Sequence, residues 1–190
     1  MKLPETTLGE KIWQFCQDYV QQYQNKFGHL PIVENDEDWP SACLGSAHDD
    51  EHSYWQPKVI EDALSFDNVE DALSMTFHQD LKNYFTSIYC DSIDAKCSHG
   101  SLSLLFAWSK EDFERLQQNI IGHILMKRKL KQAETVFFAL TDDENYILSV
   151  INETGEVWLE RVGCEPEKKI SDSIESFISE LSPCFSALSQ

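Results

Sequence analysis

The chain has 190 residues, of which 42% are hydrophobic and 12% aromatic, enough for one packed core, and a formal net charge of −18. Such a charge opposes nucleic acid and anionic lipid head groups, and apolar runs such as Val136 to Leu140 fall far short of the roughly 18 residues that span a bilayer. No Gly/Ser- or Pro-rich linker interrupts the sequence, so residues 1–190 are expected to form a single domain.

The N-terminal stretch Met1-Lys2-Leu3-Pro4-Glu5 lacks the apolar centre of a secretory signal, which points to a cytosolic chain. Thr7 and Glu10 have the spacing of a capping box. Beyond them Leu8, Ile12, Phe15, Cys16, Tyr19, Val20, Tyr23 and Phe27 recur at helical spacing, and Gly28 ends the helix. From there to about Pro57 the periodicity is lost. Pro31, Pro40, Pro57 and Gly45 predict an ordered loop with at most short extended pieces.

The excess negative charge is concentrated in and just after this irregular region, whose bounds are about residues 28–68. Between Glu34 and Asp71 stand twelve carboxylates (Glu34, Asp36, Glu37, Asp38, Asp49, Asp50, Glu51, Glu61, Asp62, Asp67, Glu70 and Asp71) and one base, Lys58. Trp39 and Trp55 lie among them, a composition that suits a folded acidic surface and not a solvating tail. An acidic surface steers basic partners toward itself. Each indole has two readings, as core or as an aromatic anchor for a Lys- or Arg-rich loop. Asp67, Glu70 and Asp71 also have two, since they open the next helical pattern, where the helix dipole favours acids.

That pattern runs from Val69 to about Tyr89 with a break expected near His78. Ile93 to Cys97 and Leu102 to Trp108 then bracket His99-Gly100 as a hairpin. Ser109 caps a helix through Phe113, Leu116, Ile120, Ile124 and Leu125 that finishes in Lys127, Arg128, Lys129 and Lys131. This run is a helix-end feature favoured by the dipole, and the anionic domain around it argues against a nucleic-acid patch. Thr135 to Thr141, Tyr146 to Ile151 and Glu156 to Val162 form a meander. A last helix from about Ser171 to Leu181 stops at Pro183. The expected class is α+β, a mainly antiparallel sheet (a hairpin plus a three-stranded meander) packed with about four helices.

Motifs for chemistry are absent. There is no nucleophile elbow, no phosphate-cradling glycine loop and no H-E-x-x-H, so no cofactor, no small-molecule substrate and no enzymatic activity are expected. Paired carboxylates such as Asp36 with Asp38 have the residue types of a glycosidase acid pair, but runs such as Asp49-Asp50-Glu51 read as solvated, and catalytic acids need burial to separate their pKa values. The spacing Cys43-x4-His48-x3-His52 resembles half a zinc site, with no second Cys pair to complete it, and the six cysteines contain no C-x-x-C; they are expected as free thiols with no metal. His123, Trp108 and Trp158 read as packed residues.

The ordered residues resemble the Syd family of bacterial proteins. The resemblance is carried by Trp39-Pro40-Ser41-Ala42-Cys43, Tyr54-Trp55-Gln56-Pro57, Trp108-Ser109-Lys110-Glu111-Asp112-Phe113, Gln118-Asn119-Ile120-Ile121-Gly122-His123 and Asn152-Glu153-Thr154-Gly155-Glu156-Val157, collinear from the first helix to the last. The family pattern has proline at the position of Ala42 and glutamine at that of Phe106, which bears on local loop shape and on no acid. The resemblance implies a SecY-interacting protein: an acidic concave surface that docks on cytosolic loops of the translocon subunit SecY, a loosely peripheral place on the cytoplasmic side of the inner membrane, and a role in monitoring or restraining improperly assembled translocon. It also implies kinship with toxin-immunity proteins, and hence an alternative partner, a basic toxin. The partner-binding residues expected on this reading are Glu34, Asp36, Glu37, Asp38, Trp39, Trp55, Glu61, Asp62, Asp67, Glu70 and Asp71. Contact with lipid itself is not expected, because no helix joins a basic polar face to a broad apolar one.

Overall fold

The computed structural model describes residues 3–185. In chain order the elements are α1 (Thr7–Phe27), β1 (Ile32–Glu34), β2 (Leu44–Ala47), β3 (His52–Trp55), β4 (Lys58–Val59), α2 (Asp67–Leu73), α3 (Gln79–Phe85), β5 (Ile88–Tyr89), β6 (Ile93–Cys97), β7 (Gly100–Leu104), α4 (Lys110–Lys129), β8 (Thr135–Thr141), β9 (Tyr146–Ile151), β10 (Val157–Arg161), β11 (Pro166–Ser171), α5 (Ile174–Ser179) and β12 (Ser182–Pro183). The α+β class holds, with five helices among the described residues instead of about four. The chief sheet has seven strands in the order β11-β10-β9-β8-β7-β6-β12, antiparallel throughout. A small sheet, β1-β3-β2, occupies the stretch expected as a loop with short extended pieces.

Several element boundaries move, each for a local reason. Helix α1 starts one residue early: Thr6 Oγ1 accepts the Gly9 N–H at 3.0 Å, and with glycine at the third helical position there is no glutamate to complete a capping box. A Cβ on Gly9 would lie 2.7 Å from Pro4 and 2.8 Å from Ser87, so this turn admits only glycine. The single helix expected over Val69 to Tyr89 is two short helices and a strand. Ser74 adopts φ 51°, and the linker after it is bonded by residues far along the chain. Asn152 Nδ2 donates to Thr76 O at 2.8 Å, the His78 N–H donates to Asn152 Oδ1 at 2.9 Å, and the Phe77 N–H donates to Glu70 Oε1 at 2.8 Å. These bonds replace the helical ladder that periodicity alone would have continued.

The second hairpin strand stops at Leu104, not Trp108, because the Leu105 N–H donates to Phe138 O and Ala107 O accepts from the Cys90 N–H. At the C-terminus, β11 occupies Pro166–Ser171, a strand not foreseen, and the last helix shrinks to Ile174–Ser179 behind the Ser173 cap, whose Oγ accepts the Ser176 N–H at 3.1 Å. The helix ends at Ser179, before Pro183 is reached, and Pro183 sits in edge strand β12, where its missing N–H costs no ladder bond.

Consecutive residues of β8 show how the layers are arranged. Phe137 meets His123 of α4 with ring centroids 5.5 Å apart, while Phe138 meets Tyr84 of α3 at 5.5 Å and Phe177 of α5 at 5.8 Å, on the opposite face of the sheet. The α4 interface holds a buried polar network. Lys127 and Glu160 are both 0% exposed. Lys127 Nζ donates to Glu160 Oε1 at 3.0 Å and to Cys164 O, Ser149 Oγ donates to Glu160 Oε2 at 2.6 Å, and His123 Nε2 pairs with Thr135 Oγ1 at 3.0 Å. The basic run at the end of α4 is therefore not one solvated cluster: Lys127 points inward and Arg128 bonds Glu134 and Leu73 O, leaving Lys129 and Lys131 exposed.

Candidate functional site

The small sheet is placed by its tryptophans. Residues Ile32, Val33 and Glu34 pair antiparallel with Tyr54, Ser53 and His52. Trp55, which ends β3, is 2% exposed and packs edge-on to Trp108 with centroids 6.2 Å apart. Trp108 Nε1 donates to Trp39 O at 3.2 Å, and Ser41 Oγ donates to Trp108 O at 2.5 Å. These contacts fasten residues 39–43 and β3 to the start of α4. Trp55 is accordingly core and offers no ring to a partner, a correction to its reading as an anchor; the cause is its pairing with Trp108, 53 positions away and invisible to local pattern. Trp39 is half-buried, and one face of its ring carries the Arg115 guanidinium 4.4 Å from the centroid. Arg115 in turn bonds Asp112 at 2.8 Å.

The acids of the segment do not share one patch. Glu34, Asp36, Glu37 and Asp38 lie exposed along β1 and the turn after it, where Asp36 Oδ1 accepts the Asp38 N–H at 3.0 Å. Asp49 is committed to its own turn, accepting from Glu51 N, His52 N and the His52 ring, bonds that hold its carboxyl below the usual carboxylate range. Glu61 and Asp62 form an exposed ridge beside β4 and β5, and Tyr89 donates its hydroxyl to Asp62 at 2.7 Å. Asp67 and Asp71 are exposed on α2.

Glu70 is spent on the fold, accepting from Phe77 N and pairing with Lys82 at 3.1 Å, so it is not available as a docking acid. Helix α2 runs along α4: Gln117 donates to Ser65 O at 2.8 Å just before its start, and Arg128 donates to Leu73 O at 2.7 Å at its end.

What the structure gathers is a cleft of about 290 Å³ between α1, the small sheet and the β5–β6 connection, lined by Tyr19, Tyr23, Glu34, His52, Asp91 and Asp94 among others. Burial raises the Asp91 carboxyl above its ordinary range, and Asp94 and Asp112 push it further up against the one lowering contact, the Ser92 N–H at 2.7 Å. Burial and Asp94 likewise raise the Tyr19 hydroxyl. Asp91 and Asp94 lay outside the acidic window of the sequence. Their signal there is faint: two carboxylates on either side of Ile93, in a stretch read as a strand. This arrangement concentrates negative charge behind a low-dielectric wall and can receive an ammonium or guanidinium group.

The residues of the half zinc motif do not act together. Cys43 is buried, which raises its thiol to about 11, while the rings of His48 and His52 contact Tyr54 and Asp49. Among the described residues no three His, Cys, Asp or Glu side chains are grouped to hold a metal ion.

Residues 9–183 match the protein family described as Syd protein (SUKH-2). A protein of Colwellia psychrerythraea named Protein Syd is 56% identical over 184 residues, covering 92% of each chain. A Protein Syd of Alteromonas mediterranea is 47% identical over 93% of this chain and 97% of its own length. One of Pectobacterium atrosepticum is 37% identical over 89% of this chain and 92% of its own.

Proposed function

The chain belongs to the Syd family, and from that membership we propose that it is a non-enzymatic acidic docking protein for the basic cytosolic loops of SecY, peripheral on the cytoplasmic side of the inner membrane, where it monitors or restrains improperly assembled translocon. The observation that carries the reading is Asp91, a carboxylate largely withdrawn from water whose charged neighbours, Asp94 and Asp112, are also acids. A group held at that cost lacks an internal counter-ion, and a partner's Lys or Arg supplies one. Cytosolic loops of membrane proteins carry an excess of such residues.

Glu34 and Asp94 belong to the same cleft, with Asp36, Glu37 and Asp38 along its outer edge as the steering acids and Glu61 and Asp62 on a second ridge. Trp39 is an anchor only for a cation that displaces Arg115. Among the described residues no helix is long and apolar enough to cross a membrane. On this reading membrane association depends on the receptor, because an anionic surface is repelled by the lipid around it.

The test is co-sedimentation with vesicles. The protein is expected to sediment with vesicles containing SecY and to stay in the supernatant with protein-free anionic vesicles, the bound fraction falling as salt rises from about 50 to 500 mM. The double variant Glu34→Lys, Asp94→Lys should lose at least about tenfold in affinity. An unchanged affinity in that variant would remove the cleft from the interface. Binding to the empty vesicles would make lipid a partner in its own right, and capture of a soluble basic toxin in place of SecY would move the protein to the immunity-type reading.

A further inference from the structure

The seven-stranded sheet curls so that β11 approaches the β6–β7 turn. Strands β11 and β6 are separated by four others in the sheet, yet Lys168 Nζ of β11 lies 3.3 Å from His99 Nδ1 in the β6–β7 turn. At this mouth a pocket of about 200 Å³ is open to solvent. Its floor is aliphatic and comes from four strands: Leu102, Leu148, Leu159 and Ile170. The register explains the space. Leu159 pairs with Leu148, but between Leu148 and Leu102 the intervening strand β8 offers only Ala139 and Thr141, opposite Leu148 and Leu102 respectively. Two small side chains in that row leave a depression that no helix fills.

The rim carries both signs. Lys168 and His99 stand on one side and Asp142 on the other, where the β8–β9 turn begins. Lys168 Nζ donates to His99 and has further N–H groups to offer. Asp143, next along, also lines the opening but accepts from Asn145 N at 2.9 Å and Asn145 Nδ2 at 2.8 Å, whereas Asp142 stands outside those turn bonds. A cavity of about 150 Å³ lined by aliphatic and aromatic side chains is large enough for benzene, so this one holds an isobutyl or benzyl group.

We propose that the mouth of the curled sheet binds a free apolar α-amino acid, its side chain on the Leu102–Leu148–Leu159–Ile170 floor, its carboxylate at Lys168 and His99, and its ammonium at Asp142. Mouths of curled or closed sheets with an apolar floor and a few polar groups at the rim are common ligand sites. A chain terminus or a simple fatty acid satisfies only one side of this rim, whereas a zwitterion satisfies both.

Titration of the full chain with L-leucine or L-phenylalanine, followed by methyl NMR, tests this. The expected result is a saturable shift confined to Leu102, Leu148, Leu159 and Ile170. N-acetyl-L-leucine keeps the side chain and carboxylate, and L-leucinamide keeps the side chain and ammonium; each should bind about tenfold more weakly, the loss of one charge-assisted contact. Lys168→Met should abolish the preference for leucine over leucinamide, and Asp142→Asn the preference over the acetylated form. Both substitutions lie on the surface and leave folding intact. Leu159→Trp should fill the pocket and remove binding. Absence of a saturable shift at about 10 mM leucine, or equal responses to the three leucine compounds, overturns the proposal.

Discussion

Glu160, beneath α4, is more deeply buried than Asp91, in the cleft beside α1, but their surroundings are opposite. Glu160 receives Lys127 on one oxygen and Ser149 on the other, and Lys127 spends a further proton on Cys164 O. Asp91 receives a single backbone N–H and faces Asp94 and Asp112. One region is a closed network whose charges cancel, and its removal from water is compensated internally. The other is left short of a cation at the surface, where one can arrive from outside. The contrast separates structural from functional acidity better than burial or a count of carboxylates does.

The largest effect should come from opening the closed network. Lys127→Met leaves Glu160 buried beside only Ser149 and His123, and a loss of about 3–5 kcal/mol is expected in urea unfolding. The pH dependence should also weaken. In the native chain burial, with Lys127, holds the His123 pKa down against the pull of Glu160. A histidine lowered on folding contributes stability that is complete above the unfolded value, about 6.5, and is lost as pH falls toward the folded one. In Lys127→Met that histidine loses its cationic neighbour and keeps Glu160, so its folded pKa should rise toward the unfolded value and the variant should lose less stability between pH 7.5 and 5.5 than the native chain does. A small loss with an unaltered pH trend would mean that the pair is not the closed unit described.

A smaller effect of opposite sign is expected in the cleft. Because the Asp91 pKa is raised on folding, its carboxylate destabilises the native state above the unfolded value near 3.9. Asp91→Asn should therefore stabilise the chain by about 1 kcal/mol at neutral pH, with the gain vanishing near pH 3, where the carboxyl is protonated in both states. The same substitution should weaken binding to SecY-containing vesicles. Stabilisation with undiminished binding would break the link between the strained acid and the partner.

The smallest effect concerns Arg115. Arg115→Ala should cost roughly 0.5 kcal/mol of stability through the lost cation–π contact, and should raise affinity for a basic partner several-fold by uncovering Trp39. Lys110→Ala removes a like charge from the start of the same helix without touching Trp39. Equal gains from the two would assign the change to net charge and leave Trp39 without a role.

The sequence by itself determined what depends on neighbours along the chain. The period of Leu8 to Phe27 and of Phe113 to Ile124 gave the two long helices, because an amphipathic stripe repeats every three or four residues wherever the helix packs. The alternation in Thr135–Thr141 and Tyr146–Ile151, with polar turns between strands, gave the meander in the same way, and the surplus of carboxylates over bases marked an acidic surface. Only the tertiary structure decided which acids act together. Glu70 is consumed by Lys82, Trp55 is claimed by Trp108, and Asp91 and Asp94 are brought to Glu34 from some 60 positions further along the chain. Each of those outcomes rests on contacts between distant segments, and local pattern records the preference of a residue for water or for a core, not the identity of the residue it will meet.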